Sequence, residues 1–420
     1  MNLIGSSRNV LTAAAIGVSL FALASVTSVS ASQTVSITEL SASASSGSSG
    51  PTSVACMSPG NCIASGYTDN NRATLQTERN GKWGPPTDPT KKLGKIANSI
   101  LITTSCYASG CVALGRYNKA LNPSKIEHFT VAYSGGHWTK ATSLTLNLGA
   151  ANAFQEFKLY CSDQYNCVVV GTLRYSSEFA STPIYAPAVL TEKAGQWGVP
   201  RPLAARTSSV GRLTEFLDVS CPGADSCVAV GIGTIHGRYG SIEAVETHGR
   251  WTQALETFPS NWTVLSVSCP TMHECTVGGR ITTPRRSEAF VSSGRAGHWA
   301  KPIQVGKVWT VDGYSSSSAN LLSCQSATNC VVAGLVDGPH AKMNGKVSVS
   351  SVAWFARETH GQWNSGTLIG YNSGGIDEGQ VVGLSCLSDR YCDAVGQYGI
   401  KNPSMTTIGD IRNFAASFMP

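Results

Sequence analysis

The sequence predicts an all-β protein: a seven-bladed β-propeller with four-stranded antiparallel blades and one disulfide in the first hairpin of each blade. Three observations predict it. The cysteines fall into seven evenly spread local pairs. A Gly-x-Trp tripeptide follows six of those pairs. Short β-branched and apolar runs, bounded by Gly, Ser, Pro and Asp, fill the intervals.

The cysteine pairs are Cys56/Cys62, Cys106/Cys111, Cys161/Cys167, Cys221/Cys227, Cys269/Cys275, Cys324/Cys330 and Cys386/Cys392. Six pairs enclose five residues and the second encloses four. Zinc sites prefer two to four intervening residues and need four converging ligands. The eight histidines follow the pairs in no regular way. Local disulfides are therefore expected, with no metal and no cofactor.

The second landmark is Gly81-Lys82-Trp83, repeated at Trp138, Trp197, Trp251, Trp299 and Trp363. From Trp83 to Cys106 is 23 residues, and the other Trp-to-Cys intervals stay between 18 and 25. The interval from the second Cys to its Trp varies more, from 21 to 33. One strand is expected to end at the first Cys, as in Leu265-Ser266-Val267-Ser268-Cys269. A second starts at the second Cys, as in Cys227-Val228-Ala229-Val230-Gly231. A third carries runs such as Ala353-Trp354-Phe355, and a fourth begins at the Trp. Four antiparallel strands in a period of about 50 residues have the size of a propeller blade. The recurring Trp is expected to pack on the neighbouring blade.

The ends of the chain fit this frame. Counting 23 residues back from Cys56 reaches Gln33, and 28 residues follow Cys392. Thr34-Val35-Ser36-Ile37 is thus expected to supply the fourth strand of the last blade, beside a third strand near Phe414-Ala415-Ala416. That exchange closes the ring and leaves no exposed edge.

Ahead of the repeats, Val10 to Val26 is an uncharged, Ala-rich run ending in Val29-Ser30-Ala31, a small-residue cleavage pattern. Residues 1–31 read as a signal peptide and residues 32–420 as the exported propeller. No later segment is apolar enough to span a bilayer. A charged fraction of 13% argues against long surface helices. The net charge of +6 permits an anionic partner, but no dense Lys/Arg stripe suggests nucleic acid. A secreted, extracellular monomer is expected.

The motif Ser220-Cys221-Pro222-x4-Cys227-Val228-Ala229-Val230-Gly231 with Gly249-Arg250-Trp251 resembles repeats of secreted actinobacterial propeller proteins. The resemblance spans the mature chain and implies the fold. Gly-x-Trp is also distantly similar to the end of the Asp-box hairpin of sialidase-like propellers. This chain lacks the Ser-x-Asp-x-Gly core of that box and the Arg-Ile-Pro motif of sialidases, so no sialidase residue carries over.

Variable loops on a rigid frame are where binding usually resides. The loop face, opposite the cysteine hairpins, is expected to carry Arg116-Tyr117, Arg174-Tyr175 and Arg238-Tyr239, with Tyr67, Arg280 and Tyr398 in related positions. Arg285, Arg286, His236, His340 and Lys401 add to the set. Tyr stacks on sugar rings and Arg grips carboxylate or sulfate. These residues point to a non-enzymatic binding propeller, lectin-like or docking to a cell-surface protein, with an extracellular glycan as the favoured ligand. The alternative is a carbohydrate-active hydrolase or lyase. A glycosidase needs two carboxylates about 5 to 10 Å apart, and Glu178, Glu243, Asp337 and Asp410 are the loop acids available. No Gly-x-Ser-x-Gly elbow, His-Glu-x-x-His helix or phosphate loop occurs.

Overall fold

The computed structural model describes residues 34–40, 49–151, 153–175, 184–204, 214–235, 238–306, 315–343, 346–369, 376–388, 391–401 and 408–419. Residues 1–31, read as a signal peptide, lie outside them. All regular structure among the described residues is β.

The sequence repeats map onto antiparallel hairpins. In repeat 1 the strands are Gly50–Ser58, Asn61–Tyr67, Ala73–Arg79 and the short Lys82–Trp83, hydrogen-bonded in that order. The first strands of repeats 2 to 7 are Ile96–Tyr107, Ala153–Asp163, Glu215–Gly223, Trp262–Thr271, Ser315–Ser326 and Ile376–Ser388.

All seven expected disulfides form, each across the hairpin of the first two strands. They join Cys56 to Cys62, Cys106 to Cys111, Cys161 to Cys167, Cys221 to Cys227, Cys269 to Cys275, Cys324 to Cys330 and Cys386 to Cys392, with Cα–Cα distances of 4.0 to 4.1 Å. The second cysteine of each pair points inward from its strand. Cys62, Cys111, Cys167, Cys227, Cys275, Cys330 and Cys392 are all between 0% and 2% exposed. Cys111, Cys167, Cys275 and Cys330 each belong to an apolar cluster. The bridges are thus core cross-links and offer no surface to a ligand.

Every first strand carries a one-residue bulge, and that bulge explains the glycine of Val-Ala-Val-Gly. The register shifts in repeats 1 and 4 fall at Pro51/Ser53 and Phe216/Asp218. The shift drives a first-strand carbonyl against the partner strand. A Cβ on Gly231 would lie 2.0 Å from the Glu215 oxygen, and one on Gly334 would lie 1.8 Å from that of Ser318. Only glycine admits this approach.

The Gly of Gly-x-Trp has a different cause. Asn80 and Gly81 both have positive φ, as do Ala194/Gly195, His248/Gly249 and His360/Gly361. Two left-handed residues in succession make the tight turn that matches strand twist. After each Trp the next residue donates back to the third strand, as Gly84 N does to Thr77 O. The fourth strand does not then run on unbroken from the Trp. Its register slips by one: Glu192 pairs with Trp197, but Val189 pairs with Arg201. Prolines at 85, 86, 200 and 302 in this stretch lack the N–H a continuous ladder needs.

Repeat 7 departs from this pattern as its sequence predicts. Thr34–Glu39 pairs without interruption along Ile408–Met419, from Thr34 opposite Met419 to Glu39 opposite Phe414.

Two tiers of side-chain hydrogen bonds join consecutive repeats. The Ser before the first Cys accepts from the Cys N–H of the next repeat. Ser105, Ser220, Ser268 and Ser323 serve Cys161, Cys269, Cys324 and Cys386 at 2.9 to 3.2 Å. Ser385 of repeat 7 serves Cys56 of repeat 1 at 3.1 Å. Repeats 1 and 3 hold Ala55 and Tyr160 at this position. The second tier uses the residue after the bulge: Ser53 Oγ accepts from Thr104 N, Thr103 Oγ1 from Leu159 N and Asp218 Oδ2 from Val267 N. First strands pack on first strands throughout, including that of repeat 7 on that of repeat 1. Apolar clusters fill each space between neighbouring sheets, for example Val170, Val189, Phe216 and Ile242 between repeats 3 and 4. The tryptophans reach the preceding repeat, as expected: Trp138 Nε1 donates to Thr77 Oγ1 and Trp299 Nε1 to Glu243 Oε2.

Candidate ligand cleft between repeats 2 and 3

Strand alternation decides what the predicted site residues can do. The Arg-Tyr dipeptides lie inside second strands that run beyond the glycine, so one residue of each pair turns toward an inter-sheet core. Tyr117 and Tyr175 are the buried members, at 2% and 5% exposure, and both rings belong to apolar clusters. They are not the sugar-stacking platforms expected of loop tyrosines. Their partners stay nearer the surface: Arg174 is exposed and Arg116 is half-buried.

The acids divide similarly. Glu243 is no loop acid. It sits in the third strand of repeat 4, Arg238–Thr247, at 4% exposure beneath Trp299. The same register position holds Leu75 and Val291 in repeats 1 and 5. Burial pushes its carboxyl up to about 7 against the smaller pull of the Trp299 N–H. Asp337 accepts from Ser351 Oγ at 2.7 Å. Asp410 pairs with Ile400 and Arg238 with Ile235 along their strands. Glu178 and His236 lie outside the described residues. Tyr67 is half-buried, whereas Arg280 and Tyr239 are exposed on repeats 5 and 4. Tyr398 is in repeat 7, its hydroxyl donating to Glu39 Oε1 at 2.8 Å. The predicted residues therefore do not converge on one point.

One cleft gathers part of the set. A cavity of about 700 Å³ opens between repeats 2 and 3. It falls within the range of ligand-sized clefts. Arg174 lines one side, with Lys119 and Lys125 across from it on the hairpin formed by Gly110–Lys119 and Asn122–Ser134. Leu144, Leu146 and Leu148, from the link after Trp138, add a partly buried apolar wall. His128 also borders it, its ring 3.2 Å from Phe154 O.

Glu127 is the one carboxylate lining this cleft among the described residues, and it is fully engaged. Tyr117 Oη donates to it at 2.6 Å, Lys119 Nζ lies at 3.0 Å and Lys125 Nζ at 3.5 Å. The Tyr117 hydroxyl and then Lys119 hold its carboxyl below the usual range, so it remains ionised. The buried Tyr117 thus serves from below: burial and the Glu127 bond raise its hydroxyl, while Ser143 Oγ lies 2.9 Å away. Arg174 makes no hydrogen bond or ion pair among the described residues. Three cations facing one carboxylate leave the cleft positively charged beside an apolar wall.

Sequence reasoning found Arg174 but missed Lys119, Lys125 and the leucines. The alternation Leu144-x-Leu146-x-Leu148 was a legible sign that this link packs edge-on.

No protein-family model matches the chain, and no curated protein is similar to it in sequence. Solved structures do match. YCF48 from Cyanidioschyzon merolae superposes with a TM-score of 0.50 at 11% identity, covering 90% of this chain and 98% of its own. A PL25 ulvan lyase bound to GlcA(1-4)Rha3S gives 0.49 at 8% identity, covering 88% and 95%. The six-bladed propeller lectin of Aleuria aurantia gives 0.36 at 12% identity, covering 80% and 99%. With the seven hairpin disulfides, the likeness to YCF48 establishes an all-β, propeller-like fold.

Proposed function

We propose that this protein is an exported, closed seven-bladed propeller that binds an anionic glycan, without chemistry, in the cleft between repeats 2 and 3. The cleft carries the reading: Lys119, Lys125 and Arg174 meet beside an apolar wall with a single, already neutralised carboxylate. Uronate or sulfate groups suit those cations, and sugar C–H faces suit the leucines. One pinned carboxylate does not supply the acid pair of a glycosidase. Ring closure is supported by the packing of repeat 7 on repeat 1, by Ser385 on Cys56, and by the Thr34–Glu39 pairing. Export after removal of residues 1–31 accords with seven disulfides. Seven blades, one chain per ring and no cofactor complete the reading.

The test is retention of the mature chain, residues 32–420, on uronate-containing, sulfated and neutral oligosaccharides, with products scored in the same samples. Retention on anionic glycans alone, weakened by salt and lost in Lys119→Ala/Lys125→Ala/Arg174→Ala, is the expected result. Unsaturated or hydrolysed products would convert the reading to a lyase or hydrolase. Retention that ignores those substitutions would move the site elsewhere, and no retention on any glycan would favour a protein partner.

A further inference from the structure

A second, chemically different pocket lies between repeats 6 and 7, well removed in chain order from the cationic cleft. Its volume is about 280 Å³, and Leu335, Gln380, Gln397, Tyr398 and Ile411 line it around Gly379. None of its lining residues is charged.

Each polar group here is held by a partner outside the pocket. Gln380 and Gln397 face each other in register on the first two strands of repeat 7. Gln397 Nε2 donates to Ser49 O at 2.6 Å and to Asn413 Oδ1 at 3.1 Å, so both its hydrogens are used. Its oxygen accepts from Gln380 Nε2 at 3.0 Å. Gln380 is exposed and keeps its carbonyl oxygen and second N–H without partners among the described residues. A fixed carboxamide with one donor and one acceptor side by side matches two adjacent hydroxyls.

Tyr398 is fixed as well. Its hydroxyl donates to Glu39 Oε1 at 2.8 Å, and Arg412 Nη1 anchors the same oxygen at 2.6 Å. Its ring packs on Phe414 with centroids 6.0 Å apart. The half-exposed remainder of the ring forms a wall of the pocket. The strand Thr34–Glu39, which completes repeat 7, therefore also sets this aromatic wall.

Gly379 leaves the space open. Its φ is not in the left-handed region, and an added Cβ would meet nothing closer than Gln397 O at 3.6 Å. Backbone conformation and packing make no demand for glycine here, in contrast to Gly396, where a Cβ would lie 2.0 Å from Gln380 O.

We infer that this pocket is a binding site for one neutral, hydroxyl-rich pyranose, stacked on Tyr398 and hydrogen-bonded through a vicinal diol to Gln380. An aromatic face, one free carboxamide and the absence of charge select a neutral sugar over the anionic class assigned to the cleft. The site stands independently of the cleft.

Saturation-transfer NMR on the mature chain with neutral methyl pyranosides, one at a time at about 10 mM, tests this. That concentration suits the millimolar affinity of a single-sugar site. At least one methyl glycoside is expected to receive saturation. Gly379→Leu, which fills the pocket, is expected to abolish the signal while the circular dichroism spectrum and unfolding midpoint stay unchanged. Gln380→Ala is expected to weaken it at least fivefold, and Lys119→Ala/Lys125→Ala to leave it intact. No saturation of any neutral glycoside, or saturation that survives Gly379→Leu, overturns the inference. Loss in the lysine variant would place neutral sugars in the cleft and overturn it equally.

Discussion

Ser385→Ala probes the contact between the last repeat and the first. The mutation removes the acceptor for Cys56 N–H, now 3.1 Å from Ser385 Oγ. Cys56 is only 5% exposed, so water does not replace the lost oxygen. An unsatisfied buried amide costs about 1–3 kcal/mol, more than the net worth of an ordinary hydrogen bond. For a chain of this size the unfolding entropy is about 0.8 kcal/mol/K, so the melting point should fall by about 1–4 °C. Guanidinium titration gives better resolution than heating, because the midpoint moves with stability while the slope stays fixed. Ser268→Ala is the internal standard. It removes the equivalent 2.9 Å bond to Cys324, between repeats 5 and 6. In a closed ring the two variants lose similar stability. If Ser268→Ala lowers the midpoint and Ser385→Ala does not, repeats 7 and 1 do not meet as described and ring closure is refuted.

Other outcomes follow from the same contacts. Ala55→Ser places a hydroxyl at the position that serves the next repeat's cysteine N–H, and should raise the denaturation midpoint by about 1 kcal/mol equivalent. Stability should fall as pH rises from about 4.5 through about 7. Burial holds the carboxyls of Glu78, Glu192 and Glu243 up at about 7 in the folded chain, so the folded state keeps protons that the unfolded state releases. Denaturation midpoints at pH 5 and pH 8 check this, and Glu243→Gln, which still accepts from Trp299, should flatten part of the decline. Cys221→Ser/Cys227→Ser should cost about 2 kcal/mol, as expected for a loop this short, measured by denaturant titration. Lys119→Glu/Lys125→Glu should abolish retention on anionic glycans without shifting the denaturation midpoint by more than about 0.5 kcal/mol, since both side chains are exposed.

Much of the fold was legible because its causes are local and recur. The left-handed turn writes Gly into Gly-x-Trp, and the first-strand bulge writes Gly into Val-Ala-Val-Gly. Inter-repeat acceptors write Ser before Cys. A position that recurs at fixed register signals itself even where the reason is unseen. The site was less legible because binding residues are the ones that do not recur. Arg116-Tyr117 and Arg174-Tyr175 look like loop pairs in sequence, but strand alternation sends Tyr117 and Tyr175 into the core. Glu243 looked like a surface acid, although counting from Cys227 aligns it with Leu75 and Val291. Lys119 and Lys125 acquire meaning only when the hairpin folds and places both on Glu127.

The pairing of Thr34 with Met419 joins residues 385 positions apart, whereas the other sheets are assembled from neighbouring hairpins. Closing so long a loop in an unfolded chain costs about 2–3 kcal/mol more than closing a 20-residue hairpin. Folding of the first six repeats removes that handicap by carrying the two ends of the chain toward each other. The seventh sheet should therefore be the last to assemble, and its rate should depend on how completely the others have formed. During synthesis, the first strand to emerge must wait, unpaired, for the last.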